Sequence, residues 1–217
     1  MNSGAVAATV HLLRHAAHDR VDRILCGRME GVALGSAGRA QASRLAARTA
    51  PLGLAAVYTS PMQRCRETAG AVARTAGLTP AVEPAFNEID FGEWTGQSFA
   101  ALGEDPRWHI WNTQRDQAAP PGGEAMRAAQ ARAVAGVEAL LPRHAGQTVA
   151  VVSHSDVIKA ILAHYLGAPL QSYERFEIGP ASLSTLVIWP GGGKVLTMND
   201  LVHDTSCQGR PGSGDAT

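Results

Sequence analysis

The sequence predicts an α/β fold: a three-layer α/β/α sandwich around a mainly parallel central sheet with an antiparallel edge. Three observations carry this. Short apolar, β-branched runs alternate with longer stretches of helical spacing. The run at 148–153 (TVAVVS) is apolar without alternation, the mark of a strand covered on both faces. The last two strand-like runs, 182–189 and 194–200, are joined across Pro190 to Gly193, a hairpin signal.

Each element can be read in order. Residues 1–8 form a loose lead-in, and 9–15 (TVHLLRH) read as a buried strand. Glycines at 27, 31 and 35 and scattered charge make 17–35 a long loop. A helix is expected over 36–50, with Ser36 as N-cap and Pro51 and Gly53 as its stop. Strand 54–59 closes at Ser60-Pro61, and a helix over 63–75 ends before Gly77. A short strand fits 80–85. Residues 86–122 are less regular, with a helical stretch around 106–116 and a Pro120-Pro121-Gly122-Gly123 break. An Ala-rich helix is expected over 123–144, and a further helix over 155–166, stopped by Gly167. The sequence divides into one domain, 1–203, and a Gly/Ser-rich tail, 204–217, expected to be disordered.

The bulk numbers narrow the function. With 217 residues, 45% apolar and 18% charged, the chain is long enough for one sizeable core. Its formal net charge is zero, so neither nucleic acid nor a membrane surface is an expected partner. Cys26, Cys65 and Cys207 are odd in number and widely spaced, which fits no disulfide framework or zinc-cysteine site and suits a reducing cytoplasm. No signal peptide or membrane span is expected. A homodimer through a sheet edge is compatible with the pattern.

Chemistry concentrates at three strand ends. Strand 9–15 ends in Arg14-His15; strand 54–59 feeds a helix whose first turn holds Arg64; strand 148–153 ends in Ser153-His154-Ser155. In an open α/β sheet such ends flank one crevice, and the following helix N-termini favour an anion. Two arginines can clamp a phosphoryl group by charge-assisted hydrogen bonds. Cationic neighbours keep a histidine neutral, and a neutral imidazole can attack phosphorus. The loop FNEIDFGEW (86–94) offers Glu88, Asp90 and Glu93 as proton donors, Glu88 being the first choice.

The chain resembles the histidine phosphatase superfamily, in its phosphoglycerate-mutase-like branch. The matching segments are LLRHA (12–16), SPMQRCRETA (60–69), FNEIDFGEWTG (86–96), PPGGEAM (120–126) and VVSHSDVIKAIL (151–162). The resemblance implies a phosphoglycerate mutase-like fold and a metal-independent phosphomonoester hydrolase with no cofactor. It implies that His15 forms a phosphohistidine, that Arg14, Arg64 and His154 clamp the phosphoryl group, and that Glu88 gives and takes the proton. The substrate would be a small phosphorylated metabolite.

There are departures from the family pattern. Ala16 and Ser155 stand where glycines are usual. His18 and Val21 stand where the family commonly has Thr and a phosphate-binding Asn. His18 and Ser155 are therefore candidate substrate contacts, and Arg28, near the family's Gln-Gly-Arg segment, is a third.

Plainer roles compete for several residues. His11 reads as a packed core residue, Arg66 as a surface residue, Cys65 as a buried neighbour of Arg64, and Trp94, Trp108 and Trp111 as core. Three other functions stay open. A phosphoglycerate mutase would share the phosphohistidine, but the stretch between Glu88 and His154 lacks the lysines a glycerate would want. A metal-dependent hydrolase would need His11, His15 and His18 on a helix, whereas they read as a strand and its end. A non-catalytic phosphate-binding protein would have no use for Glu88.

Overall fold

The computed structural model describes residues 6–201. Its elements are β1 (Ala8–Arg14), α1 (Ser36–Thr49), β2 (Leu54–Thr59), α2 (Gln63–Thr75), β3 (Ala81–Val82), α3 (Phe99–Gly103), α4 (Pro106–Thr113), α5 (Met126–Glu138), β4 (Thr148–Ser153), α6 (Ser155–Tyr165), β5 (Leu183–Trp189) and β6 (Gly192–Asp200). The proposed tail at 204–217 lies outside the described residues.

The six strands form one sheet in the order β3-β2-β4-β1-β5-β6. β3, β2, β4 and β1 are mutually parallel; β5 runs antiparallel to β1, and β6 antiparallel to β5. The mixed α/β sheet with antiparallel strands at one edge is as the sequence predicts.

Alternation along the strands builds both cores. Leu12 and Val151 join Ile158 and Ile161 of α6 and Val137 of α5 on one face. Their neighbours Leu13 and Val152 join Leu45 of α1 and Val72 of α2 on the other, because successive strand residues point to opposite sides. Burying each such side chain contributes about 1.5–3 kcal/mol. A third cluster, with Ile89, Trp94, Leu102, Trp111 and Met126, packs beneath the loop after β3. Trp94 and Trp111 are core residues, and the Trp94 indole N–H donates to Asp105 at 3.2 Å.

The structure corrects several boundaries. Ser36 is the first residue of α1 rather than its cap; Gly35 is the N-cap and provides no side-chain bond, since a Cβ there would collide with the Asp19 carboxylate. The strand expected at 80–85 shrinks to Ala81–Val82, because Pro84 opens a 3₁₀ turn capped by the Glu83 carboxylate. α3 was not foreseen; its Ser98 cap is the signal that could have found it. The Ala-rich helix is shorter than 123–144. Gly122 (φ 65°) and Gly123 are held against the Asp90 loop, and Pro142 sits in a separate 3₁₀ turn.

α1 also braces the segment after β1. A Cβ on Gly38 would land on the Ala17 carbonyl, two residues past His15. Gly38→Ala is therefore expected to lower stability by about 1–3 kcal/mol through forced backbone shifts, read as a lower urea midpoint. An unchanged midpoint would show that this contact is soft.

Candidate active site

The central strand order brings the three chemistry-bearing strand ends together. β4 lies between β2 and β1, with Thr59 opposite Val152 and Arg14 opposite Ser153. His15, Ser60 and His154 follow at the carboxyl ends. His15 borders a cavity of about 150 Å³ whose lining also includes Arg14, His18, Arg64, Glu88, Ser155 and Asp156, while Ser60 and His154 lie buried behind it.

Arg64 is the hub. It sits in the first turn of α2 and is only 2% exposed. A cation at a helix N-terminus is unfavourable, so its surroundings must hold it there. Nη2 donates to the Gly27 carbonyl at 2.8 Å and to His154 Nδ1 at 3.1 Å, and Nε donates to His15 Nε2 at 3.3 Å. Gly27 reaches this position in a left-handed conformation, φ 47°. Nη1 of Arg64 and Nε of Arg14 are buried without a hydrogen-bond partner. Two unpartnered guanidinium donors beside one cavity fit an oxyanion.

His15 is oriented by its own backbone. Its Nδ1–H donates to the Ala16 carbonyl at 2.9 Å, which leaves the Nε2 lone pair facing Arg64. Burial, then Arg64 and Arg14, hold its pKa well below the usual histidine range. His154 is likewise neutral, for the same leading cause of burial and then the Arg64 charge. Its Nδ1 accepts from Arg64, so Nε2–H donates to Ser60 Oγ at 2.8 Å, and the Ser60 hydroxyl donates to Asn87 Oδ1 at 3.3 Å. The two imidazoles meet edge to face with centroids 5.3 Å apart.

Glu88 closes the site. Its Oε2 lies 3.4 Å from His154 Nδ1 and 3.9 Å from Arg64 Nη2. Burial first, and Asp156 second, push its carboxyl up to about 7, against the pull of Arg64. The loop that carries it is clamped from outside: the Glu88 carbonyl accepts from Arg28 Nε at 2.8 Å and Arg132 Nη2 at 3.1 Å, and Glu124 holds both arginines.

The other expected contacts separate. His18 lines the cavity and stacks on His15 with centroids 5.6 Å apart. Its Nδ1 accepts from the Arg20 amide, so the neutral ring carries its proton on Nε2. Burial, then Arg64 and Arg14, lower its pKa to about 4. Val21 turns an apolar side chain to the same cavity, which leaves His18 as the side-chain donor on that loop face. Ser155 also borders the cavity, but its hydroxyl donates to the Ile178 carbonyl at 3.2 Å. Arg28 does not line the cavity. Its guanidinium is taken up by the Glu88 carbonyl, Asp90 and Glu124, so it braces the Glu88 loop instead of facing the cavity.

Sequence reasoning missed Ser60, Asn87, Arg132, Asp22 and Asp156. The last was findable as an acid in the first turn after His154, a position the helix dipole favours. His11 is buried in the sheet and bonds Thr185 Oγ1 at 3.1 Å. Among the described residues no group of three His, Cys, Asp or Glu side chains is arranged to hold a metal ion.

Comparison with known proteins agrees with this geometry. A bifunctional protein of Mycobacterium tuberculosis is 35% identical over 147 residues, 67% of this chain but 40% of that protein, so the chain spans less than half of this curated relative. Phosphoserine phosphatase 1 of Hydrogenobacter thermophilus is 29% identical over 82% of this chain and 86% of its own length. The solved structure of Bacillus stearothermophilus YhfR is 30% identical, with a TM-score of 0.83 over 89% of this chain and 98% of that one. The family profile "Histidine phosphatase superfamily (branch 1)" matches residues 10–201, and the chain belongs to that superfamily.

Proposed function

We propose that the chain is a metal-independent phosphomonoester hydrolase that works through a phosphohistidine on His15 and acts on a small phosphorylated metabolite. One observation carries the reading. A neutral histidine with an unprotonated Nε2 and a carboxyl raised to about 7 border the same cavity as two unpartnered guanidinium donors. Environments that push two titratable groups apart in this way assign nucleophile and acid. The family membership and the phosphatase names among its relatives support the same chemistry.

Arg14 and Arg64 neutralise the phosphoryl oxygens, with His18 Nε2–H as a further donor. His15 Nε2 attacks phosphorus, so a P–N bond forms as the P–O bond to the alcohol breaks. Glu88 gives its proton to the departing alkoxide. The resulting carboxylate then takes a proton from water as that water attacks phosphorus. The P–N bond breaks, inorganic phosphate leaves, and His15 and Glu88 return to their starting states. His154 keeps Arg64 and Glu88 in register through its Nδ1. A mutase would hand the phosphoryl group to a second substrate hydroxyl, and would need further cations for an acidic sugar or glycerate.

His15→Ala is expected to reduce turnover of p-nitrophenyl phosphate at least about 10⁴-fold. Wild-type turnover is expected to persist in EDTA; chelator-sensitive activity, or activity kept by the variant, would refute the proposal. Glu88→Gln should cost about 10²–10⁴-fold with an alkyl phosphate, whose leaving group needs the proton. It should cost much less with p-nitrophenyl phosphate, so equal losses on both would remove Glu88 as the acid.

The pH dependence has a defined sign. Glu88 must hold its proton, so kcat/KM for an alkyl phosphate falls as pH rises through about 7. His15 stays neutral well below 6.5, so its limb lies far to the acid side. A falling limb that survives in Glu88→Gln would contradict the assignment.

A further inference from the structure

Outside the phosphoryl subsite, the charge of the cavity reverses. Its cationic side chains are Arg14 and Arg64, whose unpartnered atoms mark where the phosphoryl group sits. The rest of the lining carries two carboxylates, Asp22 and Asp156, and the exposed ring of Phe99, while Phe91 borders it from the core at 2% exposure. Among the described residues no further arginine or lysine lines it, so a second anionic group on the substrate would meet carboxylates.

Asp22 adopts a left-handed conformation, φ 60°, uncommon for a residue with a Cβ, and forms no ion pair among the described residues. Asp156 leans on Arg115 at 3.4 Å, and that guanidinium is itself shared with Glu174 and packed 4.2 Å from the Tyr173 ring centroid. Asp156 is also the leading counter-charge of Arg14, so Asp22 is the carboxylate of the pair left without an ion-pair partner among the described residues. Phe99 is 37% exposed, a large apolar ring left at a polar cavity. Carboxylates beside aromatic faces are the chemistry that recognises an ammonium group, by ion pairing and by cation–π attraction.

We propose that Asp22 and Asp156, with Phe99, select phosphate esters of alcohols that carry a positively charged nitrogen. This rests on the phosphomonoester hydrolase reading above and adds the class of its leaving group. The reaction is unchanged: the ammonium group stays on the alcohol that leaves.

The test compares two esters of the same shape, phosphocholine and 3,3-dimethylbutyl phosphate, its uncharged isostere, with p-nitrophenyl phosphate as the control for hydrolysis itself. Wild-type kcat/KM is expected to favour phosphocholine about tenfold over the isostere, the sum of one exposed ion pair and one cation–π contact. In Asp22→Asn and in Asp156→Asn that ratio should fall toward one, and 3-phosphoglycerate should gain relative to phosphocholine. Equal wild-type rates on the two isosteres, or a ratio unmoved in both variants, would overturn the proposal while p-nitrophenyl phosphate turnover left the hydrolase reading standing. Loss of wild-type turnover on all four esters would overturn both.

Discussion

The site depends on one buried cation. Arg64 is buried at the carboxyl edge of the sheet, against the dipole of its own helix, and both histidines and Glu88 are arranged around that charge. It binds the Gly27 carbonyl, touches both histidines, and lies 3.9 Å from Glu88. Burial first, and this charge second, keep His15 and His154 neutral. The buried, unpartnered Nη1 of Arg64 carries a desolvation cost of about 1–3 kcal/mol. A phosphoryl oxygen can relieve that cost, which couples binding to the placement of the nucleophile.

Topology makes the arrangement affordable in chain length. Because β4 is inserted between β2 and β1, residues far apart in sequence arrive at adjacent strand ends. Each is then fixed by short-range contacts: His15 by its neighbour's carbonyl, His154 by Ser60, and Glu88 by the Arg28–Glu124–Arg132 clamp behind it. The Glu88 carboxyl is thus held on a loop braced by a cluster of ion pairs among Arg28, Glu124 and Arg132.

Much of this was legible in the residues themselves, and the reasons differ. The α/β alternation, the 148–153 strand and the helix over 63–75 rest on local pattern, which the tertiary structure had no cause to override. His15, Arg64, Glu88 and His154 stood out because their types at strand ends imply one chemistry. The failures are equally physical. The 80–85 and 123–144 ranges were cut short by prolines and glycines that periodicity underweighted. Arg28 was read as a substrate contact because motif position says nothing of side-chain direction, and its donors are spent on the Glu88 loop. Ser60 and Asn87 were invisible because their roles exist only once the β2 and β4 ends are adjacent. Asp156 is marked only by its place in the first turn after His154, and no linear pattern marks Asp22 as facing a cavity.

The central claim is that His15 carries the phosphoryl group between the two half-reactions. The most direct measurement is a rapid quench into alkali with a ³²P-labelled ester, followed by peptide mapping. The account predicts a transient phosphoramidate on His15, stable in base and lost in acid, formed with excess EDTA present. Label on another residue, or turnover at full rate with no covalent species under conditions that would trap one, would contradict it.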